Sequence, residues 1–405
     1  MKIAHVVRRL SFSDWGGTEQ VVWNISKAQK AAGREVRIFA TSALSGPGTE
    51  IRDGIEITRF KPVYPWWPMP RSLVSTLDLK GGNPFVPGLF RALVDWNPRV
   101  IHCHAMARIA ELCLRACGKC GATGVISLHG GSSNVPGGEA ASLRNPTRGR
   151  VPWGKAVDIL LRRTRRIPED FAGIVCVGED EYLKYKDRHS GAIFLPNGVD
   201  LEAFAAPAAA GGRGRRGAPR MLCVARIDAQ KNQMALVEAL SRHPGWSLRL
   251  AGPVTQPAYK VALEKRAAAL GVSDRLEFVG ALSQADGSLA KAYAQADLFV
   301  LPSVHEPFGI AVLEAWAASL PVAASSVGGL GRLCAAHPGA AEVFSPDDPA
   351  SLDAALARVS AAIEKDGAAA MKAAGLAAAS QYSWESIEKR LASFYCRLAG
   401  TRGAC

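Results

Sequence analysis

This 405-residue sequence is first informative through what it lacks. No stretch reaches the ~18 consecutive apolar residues that read as a membrane-spanning helix. The opening MKIAHVVRRL has none of the long apolar core of a secretory leader, so the expectation is a cytoplasmic protein. Acidic residues are the scarcer charge, 36 against 49 Lys and Arg, which leaves a formal net charge of +13. That excess favours anionic partners, whether nucleotide diphosphates, an anionic membrane face or nucleic acid, and does not choose among them. A disulfide framework is also missing. The nine cysteines are an odd number, scattered through strand-like segments such as VIHCH and IVCVG, and read as reduced core residues. Cys113, Cys117 and Cys120 lie near His102 and His104, but no second pair follows at zinc-finger spacing.

What remains is a folded composition, 48% hydrophobic and 21% charged. The length points to two domains of about 200 residues each. Lys2 to Val7 reads as a strand, the loop Asp14-Trp15-Gly16-Gly17 leads into a helix from about Thr18 to Ala32, and Glu35 to Ala40 is the next strand. That is a βαβ unit of the doubly wound kind, with the Gly pair where backbone can approach a ligand closely, though it is no full dinucleotide fingerprint. Arg99 to His104, Val125 to Leu128 and Gly173 to Val177 continue the strand pattern, and His129 follows the second of these. A histidine there suits a hydroxyl contact or proton handling, since neutral imidazole both donates and accepts.

Three further stretches are distinctive. Lys61 to Gly88 is rich in Pro and aromatics without clear periodicity and reads as a long irregular loop, either on the acceptor side and touching membrane or an aromatic-stapled surface loop. Gly131 to Arg150 reads as a mobile loop, and Val157 to Ile167 as a basic amphipathic helix whose arginines either form a solvated face or meet anionic lipid. Ala205 to Pro219 is low-complexity Ala, Gly and Arg and reads as a linker.

Arg220 to Ala225 opens a second run of strands, continued by Trp246 to Ala251, Leu276 to Val279, Asp297 to Leu301 and Val322 to Ser325. Arg226 and Lys231 leave the first of these at one end and can clamp a diphosphate, each charge-assisted hydrogen bond being worth about 1.5 to 3 kcal/mol. The stretch HEPFGIAVLEAWAASLPVAASSVGGL, from His305 to Leu330, follows the strand ending at Leu301. Pro307 pushes Glu306 into an extended loop conformation. The spacing of Ile310, Leu313, Trp316, Ala317 and Leu320 predicts a helix ending at Pro321, with Glu314 inside it. The backbone N–H groups of Phe308, Gly309 and Ile310 then form a helix N-terminus, which attracts anions. A loop acid, a helix acid and an anion site suit a ligand with phosphate and hydroxyls, such as a nucleotide-sugar.

Glu306 and Glu314, with Pro-Phe-Gly after the first, resemble the E-x7-E signature of retaining GT-B glycosyltransferases, in particular glycosyltransferase family four. ARIDAQKN resembles the family's G-R-x5-K stretch with Ala225 for Gly, and LPNGVDLEAF its inter-domain segment. His129 matches in position, although Gly130 replaces the Asp that commonly follows. The resemblance implies an α/β fold of the GT-B type, two Rossmann-like doubly wound domains facing a cleft. An N-terminal acceptor domain would span 1–200 and a nucleotide-sugar donor domain 201–380, with a C-terminal helix in 381–405 crossing back onto the first. The implied catalytic residues are His129, Glu306, Arg226 and Lys231. Gly16, Gly17, Gly280, Leu282, Phe308, Gly309, Ile310 and Glu314 are the implied donor-binding set, with Glu306 on the sugar and Glu314 on the ribose.

No Asp-x-Asp occurs, so no metal and no cofactor are expected, and Arg226, Lys231 and the helix N-terminus would carry the leaving diphosphate's charge. The expected partners are a nucleotide-sugar donor, UDP by family habit, and an unidentified glycan or lipid-linked acceptor. Peripheral contact with an anionic membrane is also expected, and nucleic acid is not. Two rivals stand beside this reading: a sugar-nucleotide epimerase of the same fold, which needs no acceptor, and a basic nucleic-acid-binding protein, which leaves Glu306 and Glu314 unexplained.

Overall fold

The computed structural model describes residues 1–12, 17–80, 83–129, 151–152, 166–210, 219–284 and 286–400. The chain folds as two compact units, Met1–Pro196 together with the stretch from Ile387, and Asn197–Ser386. Gly16, the expected loop at 131–150 and nearly all of the expected basic helix lie outside the described residues.

The first unit is built on β1 (Lys2–Arg9), β2 (Glu35–Thr41), β3 (Gly48–Arg52), β4 (Ile55–Phe60), β6 (Val100–Cys103), β7 (Thr123–Leu128), β9 (Gly173–Cys176) and β10 (Ala192–Phe194). Their order across the sheet is β10-β9-β7-β6-β1-β2-β4-β3, parallel except for the edge strand β3. The central strands read as near-continuous apolar runs because both faces are covered. Ala4, Val6 and Phe39 enter one core with Ile101 and Ile109, whereas Val7, Ile38 and Ala40 point to the other with Val22 and Ile57. The C-terminal helix implied by the family resemblance spans Trp384–Leu398. Within this unit it buries Ile387, Leu391, Phe394 and Tyr395, and packs so closely on β9 that a Cβ at Gly173 would lie 2.7 Å from Phe394.

Three expectations need correction here. The stretch at 61–88 is not irregular throughout. Trp66–Trp67 forms β5, paired with β8 (Val151–Pro152), and the helix Arg71–Lys80 follows. Leu73 and Leu77, one turn apart, pack with the buried Tyr64, whose hydroxyl donates to Asp78 at 2.5 Å. The linker expected from Ala205 is helical up to Ala210, because the helix Leu201–Ala210 is anchored by the buried Phe204 against Tyr293. Among the described residues seven cysteines are free, Cys113, Cys117 and Cys120 among them, but Cys396 is disulfide-bonded.

The second unit contains β11 (Arg220–Val224), β12 (Ser247–Ala251), β13 (Leu276–Gly280), β14 (Leu298–Leu301), β15 (Val322–Ser325) and β16 (Glu342–Phe344), all parallel in the order β13-β12-β11-β14-β15-β16. The chain builds outward from β11 in one direction, then returns to β11's other side with β14. That reversal is a topological switch point, and the loops leaving the carboxyl ends of β11 and β14 border its crevice. Both sheets share this winding; in the first, the switch lies between β1 and β6.

Candidate functional site

In the second unit the switch point brings together the two loops that carry the charged motifs. Arg226 follows β11 and is exposed, with Nη2 3.3 Å from the buried Asp228. Asp228 also caps the short turn Ala229–Lys231 by accepting from the Gln230 N–H, so one carboxylate fixes both the turn and the arginine. Lys231, at the end of that turn, reaches across to the loop after β14 and donates to Glu306 Oε2 at 2.8 Å. Both partners of this pair are only 14% exposed. Val304 N–H donates to the Gln230 carbonyl at 2.9 Å, so backbone as well as side chains join the two loops. Ser303 Oγ lies 3.4 Å from Glu306 Oε2, at the limit of a hydrogen bond.

The loop at Glu306 is seated on backbone. Gly329 N–H donates to the Glu306 carbonyl at 3.1 Å, and a Cβ at Gly329 would fall 1.8 Å from the Pro307 carbonyl oxygen. Only glycine permits that approach. Gly309, at φ +96°, is the N-cap of the helix Ile310–Ala317. Among the described residues the N–H groups of Phe308, Gly309 and Ile310 have no recorded acceptor, as expected of a helix N-terminus. The helix dipole and these donors favour an anion beside Glu306 and Lys231.

Glu314 lies inside the helix, as the spacing predicts, and is 8% exposed. Its Oε2 accepts from the Tyr293 hydroxyl at 2.8 Å. Burial raises its carboxyl to about 7, against the opposing effect of that hydrogen bond. Gly280 ends β13 at φ +83°, and Leu282 lies half-buried just beyond. Arg226, Lys231, Glu306, Phe308, Gly309 and Ile310 therefore cluster at the β11/β14 switch or on the loop that enters it. Gly280 and Leu282 leave the neighbouring edge of the same sheet.

The first unit holds His129 and Gly17. Gly17 opens the helix Gly17–Ala31, and a Cβ there would meet nothing within 4 Å. His129 follows β7 and joins a buried cluster gathered by four different elements. His5 comes from β1, His102 and His104 from β6 and its end, and Tyr395 from the C-terminal helix. His129 Nε2 lies 3.0 Å from His104 Nδ1, and His5 bonds both His104 and Gln29. His102 bonds Tyr395 at 2.6 Å and Ser127 at 2.7 Å. Burial lowers His5 and His129 to about 4 and His102 and His104 well below the ordinary range. The rings are therefore neutral near pH 7. His5, His102 and His104 could be taken for a metal triad, but every ring nitrogen of the three already faces a hydrogen-bond partner.

Sequence reasoning missed Asp228, Tyr293, Gln29 and His5. The first had a local signal, an Asp two residues before Gln230 in a turn; the others meet their partners only through the tertiary fold.

The models of two families match the chain in succession: Glycosyltransferase Family 4 over residues 15–203 and Glycosyl transferases group 1 over residues 213–375. Over nearly its whole length the chain is 25% identical to a protein of Xanthomonas campestris named GDP-mannose:cellobiosyl-diphosphopolyprenol alpha-mannosyltransferase, covering 99% of this chain and 98% of that one. It is 35% identical to a glycogen synthase of Mycobacterium tuberculosis across 52% of this chain and 49% of that one, so it spans about half the length of that relative. Its fold is similar to that of a sucrose-phosphate synthase from Thermosynechococcus elongatus, with a TM-score of 0.68 at 22% identity over 98% of this chain and 99% of the other.

Proposed function

The chain belongs to the GT-B glycosyltransferases of family 4, and on that premise we propose that it moves a sugar from a nucleotide-sugar to a hydroxyl acceptor with retention of configuration. The observation that carries this is the Lys231–Glu306 pair across the β11/β14 switch point, beside the open helix N-terminus at Gly309. A cation, a carboxylate and free backbone donors at one place suit a sugar diphosphate better than any single-charge ligand.

In this proposal Arg226, Lys231 and the N–H groups of Phe308, Gly309 and Ile310 take up charge on the departing diphosphate. Such preorganised donors matter most where charge develops during reaction. Glu306 and His129 orient the transferred sugar, Glu314 meets the ribose hydroxyls, and backbone at Gly280 and Leu282 faces the base. Gly17, beside which a Cβ would meet nothing within 4 Å, leaves room for the diphosphate or acceptor. Because two cations and a helix N-terminus serve the diphosphate, turnover should survive removal of divalent cations by a chelator.

UDP is the nucleotide first expected. A relative matched over 98% of its length is named for GDP-mannose, so the test is a panel of UDP-, GDP- and ADP-sugars scored by thermal shift. One nucleotide should raise the melting temperature well above the others. No shift with any would overturn the donor assignment. The acceptor proposed is a lipid-linked saccharide or surface-glycan precursor, supported by the cellobiosyl-diphosphopolyprenol in that relative's name and by the net charge of +13.

A further inference from the structure

His129 is the terminus of a hydrogen-bonded series that runs into the core of the first unit. His129 Nε2 meets His104 Nδ1 at 3.0 Å, His104 Nε2 meets His5 Nδ1 at 2.9 Å, and His5 Nε2 meets Gln29 Oε1 at 2.7 Å. Gln29 and His5 are fully buried and His104 is 7% exposed. The His102 ring lies against that of His104, with centroids 4.2 Å apart and planes tilted by 33°, but bonds separately to Tyr395 and Ser127, so it stands outside the series.

A neutral imidazole carries one N–H and one lone pair, so in such a series the state of one end dictates the other. The carbonyl oxygen of Gln29 can only accept. His5 must then hold its hydrogen on Nε2 and accept at Nδ1. His104 must donate from Nε2 and accept at Nδ1. His129 is left donating from Nε2, with its lone pair on Nδ1. Among the described residues no partner of that Nδ1 is recorded, and the ring is partly exposed.

We propose that Gln29, acting through His5 and His104, fixes the tautomer of His129 so that its Nδ1 accepts a hydrogen bond from a hydroxyl of the bound ligand. Gln29, His5 and His104 are positioning residues; only His129 touches the ligand. The proposal rests on the glycosyltransfer reading solely in naming that hydroxyl as the sugar's.

The test is a long-range proton–nitrogen correlation spectrum of the full chain carrying isotope-labelled histidine, which reads the protonated nitrogen of each ring. The expected result is Nε2–H for His5, His104 and His129 in the wild type. Gln29→Leu, which removes the anchor, should shift His129 at least partly to Nδ1–H, and Gln29→Glu, whose carboxylate also accepts, should keep the wild-type pattern. A wild-type His129 protonated on Nδ1 would overturn the proposal, as would a Gln29→Leu spectrum with His129 unchanged. The wild-type spectrum alone decides the direction of the series if Gln29→Leu does not fold. No donor or turnover enters this readout, so a failed nucleotide-sugar panel would leave the tautomer result standing, and a reversed tautomer would leave the donor assignment standing.

Discussion

Glu314 is the residue whose chemistry departs furthest from what its sequence position suggests. A surface acid at the second turn of a helix would be ionised at neutral pH, but burial raises this carboxyl from an ordinary 4.5 to about 7. The folded state thus holds its proton longer than the unfolded chain. The stability this confers is complete below about pH 4.5 and is lost as pH rises through about 7. At about 1.4 kcal/mol per pH unit, the whole effect is on the order of 3 kcal/mol at most. Glu314→Gln should therefore flatten the melting temperature between about pH 5 and pH 7.5 relative to the wild type. A wild-type profile already flat over that window would contradict the buried, protonated carboxyl. At this scale the charged motifs were legible, because Glu306, Arg226 and Lys231 lie in short local patterns at strand ends. Tyr293 was not, since nothing in KAYAQADLFV indicates that its hydroxyl meets an acid 21 residues further on.

Among the elements, the long apolar strands were the most legible and the turns the least. The parallel strands are apolar runs bounded by polar loops, which is how strands covered on both faces read. The hairpin β3–β4 went unread although its signal is present: Asp53 and Gly54, at φ +48° and +67°, are the two left-handed residues that a tight hairpin turn requires. The helix Arg71–Lys80 was hidden by Pro65, Pro68 and Pro70, which precede it and mask its short apolar stripe. Gly328 and Gly329 begin the helix Gly328–Ala336 and bear on the Glu306–Pro307 backbone. Gly329→Ala drives a methyl into the Pro307 carbonyl, so the loop must move. The expected cost is about 1 to 3 kcal/mol of stability, typical of overpacking. Nucleotide affinity should fall as well, because the displaced loop carries Glu306. A variant that unfolds earlier yet binds nucleotide as tightly as the wild type would show that the loop is not part of the donor site.

For the molecule as a whole, length indicated two units, and winding order made each a doubly wound sheet with a switch point beside its central strand. Net charge is a property of the same scale. Among the described residues no helix is long and apolar enough to cross a membrane. An excess of +13 should nonetheless draw the chain to anionic vesicles at low salt and release it as salt rises. Flotation with phosphatidylglycerol vesicles measures this, and equal recovery with neutral vesicles would remove the membrane-proximal acceptor from consideration.

The most direct test of the donor centre is the release of nucleoside diphosphate from UDP-, GDP- and ADP-sugars by the wild type beside Lys231→Ala. Loss of the cation that faces Glu306 at 2.8 Å should lower turnover of the preferred donor by roughly 10²- to 10³-fold, with the fold retained. Turnover in Lys231→Ala equal to that of the wild type, or no consumption of any nucleotide-sugar by the wild type with acceptor present, would contradict the account.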